Sequence, residues 1–186
     1  MIMKKYIALL SFVVALFAVS CSPYTDEEPG GVAVQDLCGT WTVTVTASLG
    51  EAGGTVDLGL KNKTELDAVD DWADVYDLGK LYLRTYNTAD NVDNELWFDD
   101  AAFWQEKFKI SCNNSKLTFE ADSVEAVSGS GCKAVIRYGQ VLKGAATTPR
   151  GVKADSIIAY VFYSDDPNGL TYKMSGYRYT GFKADK

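Results

Sequence analysis

Apolar and polar residues alternate along most of the chain, as they do in strands that bury one face. The clearest case is residues 39–49, where Trp41, Val43 and Val45 alternate with threonines. Because successive side chains of a strand point to opposite faces, this segment predicts a half-buried strand. Similar patterns predict strands at residues 81–87, 95–100, 107–112, 116–121, 133–142, 156–163 and 170–179, and a further short one at 55–60.

Turn-forming residues separate these strands. Examples are the Asn113-Asn114-Ser115 and Thr148-Pro149-Arg150-Gly151 segments. About eight short antiparallel strands with little helix fit a closed barrel or a sandwich. The pattern therefore predicts an all-β protein.

Residues 64–79 break the alternation. Apolar residues recur there at helical spacing, namely Leu66, Val69, Trp72 and Tyr76. Thr64 is a candidate N-cap and Gly79 a candidate C-terminal stop, so we expect one short surface helix. Asp74 and Asp77 would oppose its dipole.

The first twenty residues have the features of a secretory signal. Lys4 and Lys5 precede an apolar run from Ile7 to Val19, which is too short to span a bilayer. The ending Ala18-Val19-Ser20-Cys21 resembles a bacterial lipoprotein signal, in which Cys21 would be acylated. The alternative is a simple cleaved signal with an incidental cysteine. The resemblance implies a lipid anchor in the cell envelope, with the outer membrane expected and the domain periplasmic or surface-exposed.

Residues 21–36 are predicted to be a flexible tether, since they are acidic and contain Pro29-Gly30-Gly31. Acidic residues after the cysteine resemble a surface-display signal of some Gram-negative lipoproteins, although a solvated linker explains them equally well. Residues 37–186 are then the folded domain.

Composition narrows the function. The formal net charge is −7, so nucleic acid is not an expected partner. The chain has no histidine, which excludes histidine-based triads and histidine-ligated zinc. No cofactor is predicted. Besides Cys21, the cysteines are Cys38, Cys112 and Cys132; a Cys112–Cys132 bridge is not expected in a simple meander, and all three stay unassigned.

Two features favour the barrel over the sandwich. Gly39-Thr40-Trp41 opens the first strand and Arg178 lies near the end of the last, which resembles the lipocalin-like pattern of a tryptophan covered by an arginine. A longer pattern follows in order along the chain, namely Leu83–Thr88, Leu96–Asp100, Phe103-Trp104, Gly139–Val141, Asp155–Ile157 and Gly176–Phe182. Together these segments resemble the bacterial lipoproteins called lipid-binding putative hydrolases. The resemblance implies an up-and-down β-barrel with an apolar interior, closed by Gly39, Trp41 and Arg178.

The aromatic residues suggest binding of a small apolar or lipid-like molecule. The candidates for an inner lining are Phe98, Trp104, Phe108, Tyr160 and Phe162. Alternatively, they fill the core of an eight-stranded barrel. A second hypothesis is an interaction module that docks a protein or glycan through exposed Tyr172, Tyr177 and Tyr179.

A third hypothesis is a hydrolase that uses a carboxylate. Asp99 and Asp100 are adjacent on a strand, so they point to opposite faces and cannot act on one substrate together. One could serve as a base, or both could start the turn at Ala101-Ala102. A Gly-x-Ser-x-Gly nucleophile motif is absent, which favours a binding protein over an enzyme. The acidic residues lack the spacing of an EF-hand, and no metal site is predicted.

Overall fold

The computed structural model describes residues 30–48 and 63–185. The predicted signal, Cys21, the tether up to residue 29 and the strand predicted at 55–60 therefore lie outside the described residues. Within the described ranges, no helix is long and apolar enough to cross a bilayer. Val32–Lys186 forms one compact unit.

Nine strands and one short helix make up the described part of the chain. The helix, α1, is Lys63–Asp67, and short 3-10 turns lie at Gln35–Leu37 and Lys183–Asp185. The strands are β1 (Gly39–Ser48), β2 (Trp72–Ala73), β3 (Leu81–Asn87), β4 (Glu95–Asp99), β5 (Lys107–Asn113), β6 (Thr118–Glu125), β7 (Lys133–Thr147), β8 (Lys153–Tyr163) and β9 (Thr171–Arg178).

Strand β1 closes the sheet into a barrel. It pairs with β3 on one side and with β9 on the other, while β3 to β8 each pair with the next strand along the chain. The result is a closed antiparallel barrel of eight strands, with β2 added at the end of β1. The all-β class predicted from the alternation and the up-and-down barrel implied by the family resemblance are both confirmed.

The barrel interior is filled by side chains from alternate positions of each strand. Strand β1 contributes Trp41, Val43 and Val45, and β8 contributes Ala159 and Tyr163. The Phe119 ring packs directly against Gly139, where a Cβ would lie 2.0 Å from Cε2 of Phe119. A side chain at position 139 would therefore displace this ring. Buried side chains thus fill the interior, as in other barrels of eight strands.

The helix predicted to extend to Gly79 is wrong in its extent. Only Lys63–Asp67 is helical, and Trp72–Ala73 instead forms β2 by pairing with the end of β1. The Asp74 carboxylate accepts a hydrogen bond from the backbone N–H of Asp77 at 2.9 Å, and Asp77 has a left-handed φ of 49°. This side-chain hydrogen bond offers the backbone an alternative to the helix.

The folded unit begins before residue 37, where the sequence predicts it to start. Val34 and Leu37 are fully buried in the main core, in the segment that precedes β1. The backbone N–H of Ala33 donates to the Asn91 side chain at 2.9 Å, and Asn114 donates to the Ala33 carbonyl at 2.9 Å. Residues 32–36 thus belong to the folded unit, and the predicted boundary at residue 37 is corrected.

Candidate functional site

One end of the barrel is closed by Trp41 and Arg178. The indole of Trp41 is fully buried, and its Nε1 donates to Oγ1 of Thr85 at 2.8 Å. The Arg178 guanidinium carbon lies 4.5 Å from the indole centroid, and Nη1 donates to the Cys38 carbonyl. A Cβ at Gly39 would lie 2.6 Å from Nη1 of Arg178, so a glycine here lets the guanidinium lie over the indole.

Aromatic rings close the opposite end. Trp104 and Tyr163 stack with centroids 4.7 Å apart and an interplanar angle of 4°. Phe103 packs edge-on against Tyr172 at 4.8 Å, and Tyr76 contacts both Phe103 and Tyr172. We call these five residues the aromatic end cluster. They block entry to the barrel from this end.

Asp100 holds part of this cluster in place. Its carboxylate accepts hydrogen bonds from the Tyr163 hydroxyl at 2.6 Å and from the backbone N–H groups of Phe103 at 3.0 Å and Trp104 at 2.9 Å. Burial raises the pKa of Asp100, although these hydrogen bonds favour the charged form. The carboxylate oxygens are committed to the loop between β4 and β5, which is the turn-starting role that the sequence allows as the alternative to catalysis.

Asp99 points to the outside. Its carboxylate lies 3.8 Å from the Arg84 guanidinium and 3.3 Å from the Tyr86 hydroxyl. Asp99 and Asp100 thus lie on opposite faces of the wall, and the structure does not bring them together.

The five candidate lining residues separate into two groups. Phe98 and Phe108 are fully buried in the main core, and Trp104 belongs to the aromatic end cluster. Tyr160 lies on the outer face of β8, covered by Leu66 of α1, and Phe162 shares that face by alternation. The placement of Tyr160 and Phe162 in the interior is therefore wrong.

The exposed tyrosine patch expected of an interaction module is absent from the described residues. Tyr172 points into the barrel and is fully buried, with its hydroxyl donating to Asp166 at 2.8 Å. Tyr177 is buried as well, and its hydroxyl donates to the Asp185 carbonyl at 2.8 Å. Of the three tyrosines, Tyr179 alone is partly exposed, in contact with Tyr82.

A cleft opens in the side wall between β5 and β6. Ser111–Asn113 of β5 pair with Thr118–Glu120 of β6. The two segments are hydrogen-bonded again where the N–H of Val127, just after β6, donates to the Lys107 carbonyl at 3.0 Å. In between, β6 shifts register against β7, and Ser123 takes a left-handed φ of 57°. This irregular stretch of β6 separates the two strands.

The cleft, which we call the lateral cleft, has a volume of about 330 Å³. That is the lower end of the range for small-molecule sites. Its floor consists of inward-facing apolar side chains, and its rim is charged. The floor residues are Ala121, Val124 and Ile136, and the rim residues are Lys109, Ser111, Glu120, Asp122 and Arg137. An apolar floor with a charged rim suits an amphiphilic ligand.

A second depression of about 350 Å³ adjoins the lateral cleft and shares Ser111 and Glu120 with it. Cys112 and Phe119 reach its wall from the core side of β5 and β6, and Tyr138 borders it from β7. The two depressions lie next to each other along the line where β5 and β6 meet.

The cysteines offer no activated nucleophile in the described residues. Cys38, Cys112 and Cys132 carry free thiols. Burial raises the pKa of Cys112 to about 11 and that of Cys132 to about 12, so both stay protonated at neutral pH. In the described ranges, no three acidic or cysteine side chains come together in a way that could hold a metal ion.

Sequence reasoning missed the lateral cleft. Its charged residues are ordinary outward positions of alternating strands, and Arg137 is an outward residue at an irregularity of β7. A signal did exist: the segment from Ala121 to Val127 has no clean period-two pattern.

Comparison with known families agrees with this architecture. The model of the family described as lipid-binding putative hydrolases matches residues 26–183. No curated protein matches the chain.

Proposed function

Because the chain belongs to the family of lipid-binding putative hydrolases, we propose that it binds a small apolar or lipid-like molecule in the lateral cleft. The family and the barrel fit a lipid-binding role. We further propose that acylated Cys21 anchors the protein in the outer membrane of the cell envelope, with the domain periplasmic or surface-exposed.

The observation that carries the binding proposal is the gap between β5 and β6. Both barrel ends are closed by packed side chains, so a ligand that enters from solvent needs another route. The lateral cleft reaches apolar core side chains without displacing Trp41 or the aromatic end cluster. Burying an alkyl chain against such a floor contributes about 25 cal/mol for each Å² of apolar surface removed from water.

Catalysis gains less support. The family name includes a hydrolase, but the buried carboxylate of Asp100 is fully engaged in hydrogen bonds and does not line the lateral cleft. Ser130 is exposed in the β6–β7 turn, where its hydroxyl accepts a hydrogen bond from the Cys132 N–H at 3.2 Å. The geometry favours holding a ligand over cleaving one.

Titration of the purified protein with Nile red, a neutral apolar dye, tests the proposal. We expect saturable binding, and we expect Val124→Trp to weaken it at least about tenfold, because an indole in place of this floor side chain would fill the cleft. Val152→Trp is the matched control, since Val152 is 52% exposed in the β7–β8 turn. Equal binding by both variants would place the ligand elsewhere, and no binding by the wild-type protein would refute the function.

A further inference from the structure

Arg137 is held at the lateral cleft by an irregularity in β7. Ile136 and Gly139 face the interior, and two residues, Arg137 and Tyr138, lie between them where strict alternation allows one. The pairing of β7 with β8 shifts register at this point. The side chain of Arg137 is only 28% exposed and lines the cleft beside Ile136. The strand thus places a mostly buried cation next to the apolar floor.

The hydrogen-bonding capacity of this guanidinium is largely unused. Its Nε is fully buried and has no hydrogen-bond partner. The nearest carboxylate oxygen, Oδ1 of Asp122, is 3.8 Å from Nη1, which is too far for a hydrogen bond. Because Nε is fully buried, an acceptor that enters the cleft would reach the Nη groups of Arg137, of which Nη1 is not hydrogen-bonded to Asp122.

The other charges on the rim do not replace Arg137. Lys109 is engaged with Glu95, at 2.8 Å from Nζ to Oε2. Asp122 is 91% exposed and Glu120 is exposed, so water and salt screen their repulsion of an anion in the cleft. The cation is therefore the least solvated charge of the site.

We infer that the lateral cleft selects amphiphiles with an anionic head group, a carboxylate or a phosphate, and that Arg137 binds this head group while the apolar tail packs on Ala121, Val124 and Ile136. The inference rests on the proposed binding function. A guanidinium donates paired hydrogen bonds to carboxylates and phosphates, and such charge-assisted bonds are stronger than those to a neutral hydroxyl.

The test compares three ligands with one tail, namely dodecanoate, dodecyl phosphate and dodecanol, by displacement of Nile red from the full protein. We expect at least one of the two anions to bind about tenfold or more tightly than the alcohol to the wild-type protein. Arg137→Gln should reduce anion binding to the level of the alcohol and leave alcohol binding unchanged. Arg137→Lys should keep part of the preference.

Arg84→Gln is the matched control, because Arg84 is an exposed arginine paired with Asp99, away from the cleft. This variant should bind all three ligands as the wild type does. Equal affinity of the wild type for anions and alcohol, or an equal loss of all ligands in Arg137→Gln, would overturn the role of Arg137. Failure of every ligand, Nile red included, would instead refute the binding function. The ratio of dodecanoate to dodecyl phosphate affinity shows which anion the site prefers.

Discussion

Asp100 and Asp166 organise neighbouring loops by the same chemistry. Each buried carboxylate accepts a tyrosine hydroxyl, from Tyr163 and Tyr172 respectively, and two backbone N–H groups of the loop that follows it. The two tyrosine rings lie 6.1 Å apart in the aromatic end cluster. These carboxylates therefore hold the closed end of the barrel together and are not free for chemistry.

The stability contributed by Asp100 should fall as the pH rises. Burial raises the pKa of Asp100 in the folded protein above its value in the unfolded chain, about 3.9. The protonated carboxyl group therefore stabilises the fold fully below about pH 3.9. This contribution is lost as the pH rises through the pKa of Asp100 in the folded protein. In Asp100→Asn this loss cannot occur. Urea denaturation at a series of pH values should show wild-type stability declining relative to the variant, by at most about 1.4 kcal/mol per pH unit. A difference independent of pH would contradict this.

At the residue scale, the sequence predicts the face of a strand on which a residue lies better than the residues that it contacts. Alternation correctly separates Asp99 from Asp100. It cannot show that Asp100 meets Tyr163, because that contact joins residues 63 positions apart and depends on the closed barrel. The same holds for Arg137, whose position depends on an irregularity in β7 that leaves no mark on composition.

At the scale of elements, the errors occur where alternation is weak. Residues 157–163 are apolar throughout, so the pattern predicts a strand without indicating which face points inward. The structure buries both faces of β8: Ala159 and Tyr163 inside, and Tyr160 outside under α1 and Trp72. The sequence pattern therefore misplaces Tyr160 and Phe162. The apolar residues Leu66, Val69 and Trp72 cover the outer face of β8, and they do so without forming one long helix.

The gap between β5 and β6 should be visible by amide hydrogen exchange. The Lys107 carbonyl faces β6, so by alternation the N–H of Lys109 faces it too, where no residue of β6 pairs with Lys109. Ser111, two residues on, pairs with Glu120. We expect the Lys109 amide to exchange much faster than that of Ser111, as measured by NMR. Similar protection of the two amides would mean that the strands are joined along their whole length.

At the scale of the whole molecule, the barrel is predictable and its opening is not. Strand number, antiparallel order and closure follow from the alternation and from the family resemblance. The lateral cleft arises because β6 carries more residues than β5 between the two points where they are hydrogen-bonded. Only the assembled sheet reveals this difference in register. A cleft in the wall, the proposed binding surface, thus coexists with a packed interior.

The proposed anchor can be tested in the cell. We expect the wild-type protein to incorporate labelled palmitate and to partition with membranes, and Cys21→Ser to do neither, because the acyl chains would be attached through that thiol. Cys38→Ser is the control, since Cys38 is half-buried in the fold. Continued labelling of Cys21→Ser would rule out Cys21 as the attachment site.

The burial of Val34 and Leu37 determines where a truncated form of this protein should begin. A truncated chain that starts at the first strand, residue 39, would lose two fully buried apolar side chains and the contacts of Ala33 with Asn91 and Asn114. Loss of the Val34 side chain alone costs about 1.5–3 kcal/mol of burial free energy. Truncated forms that begin at or before Val32 keep the native end of the barrel intact, whereas in shorter ones ligand binding would be measured on a damaged fold.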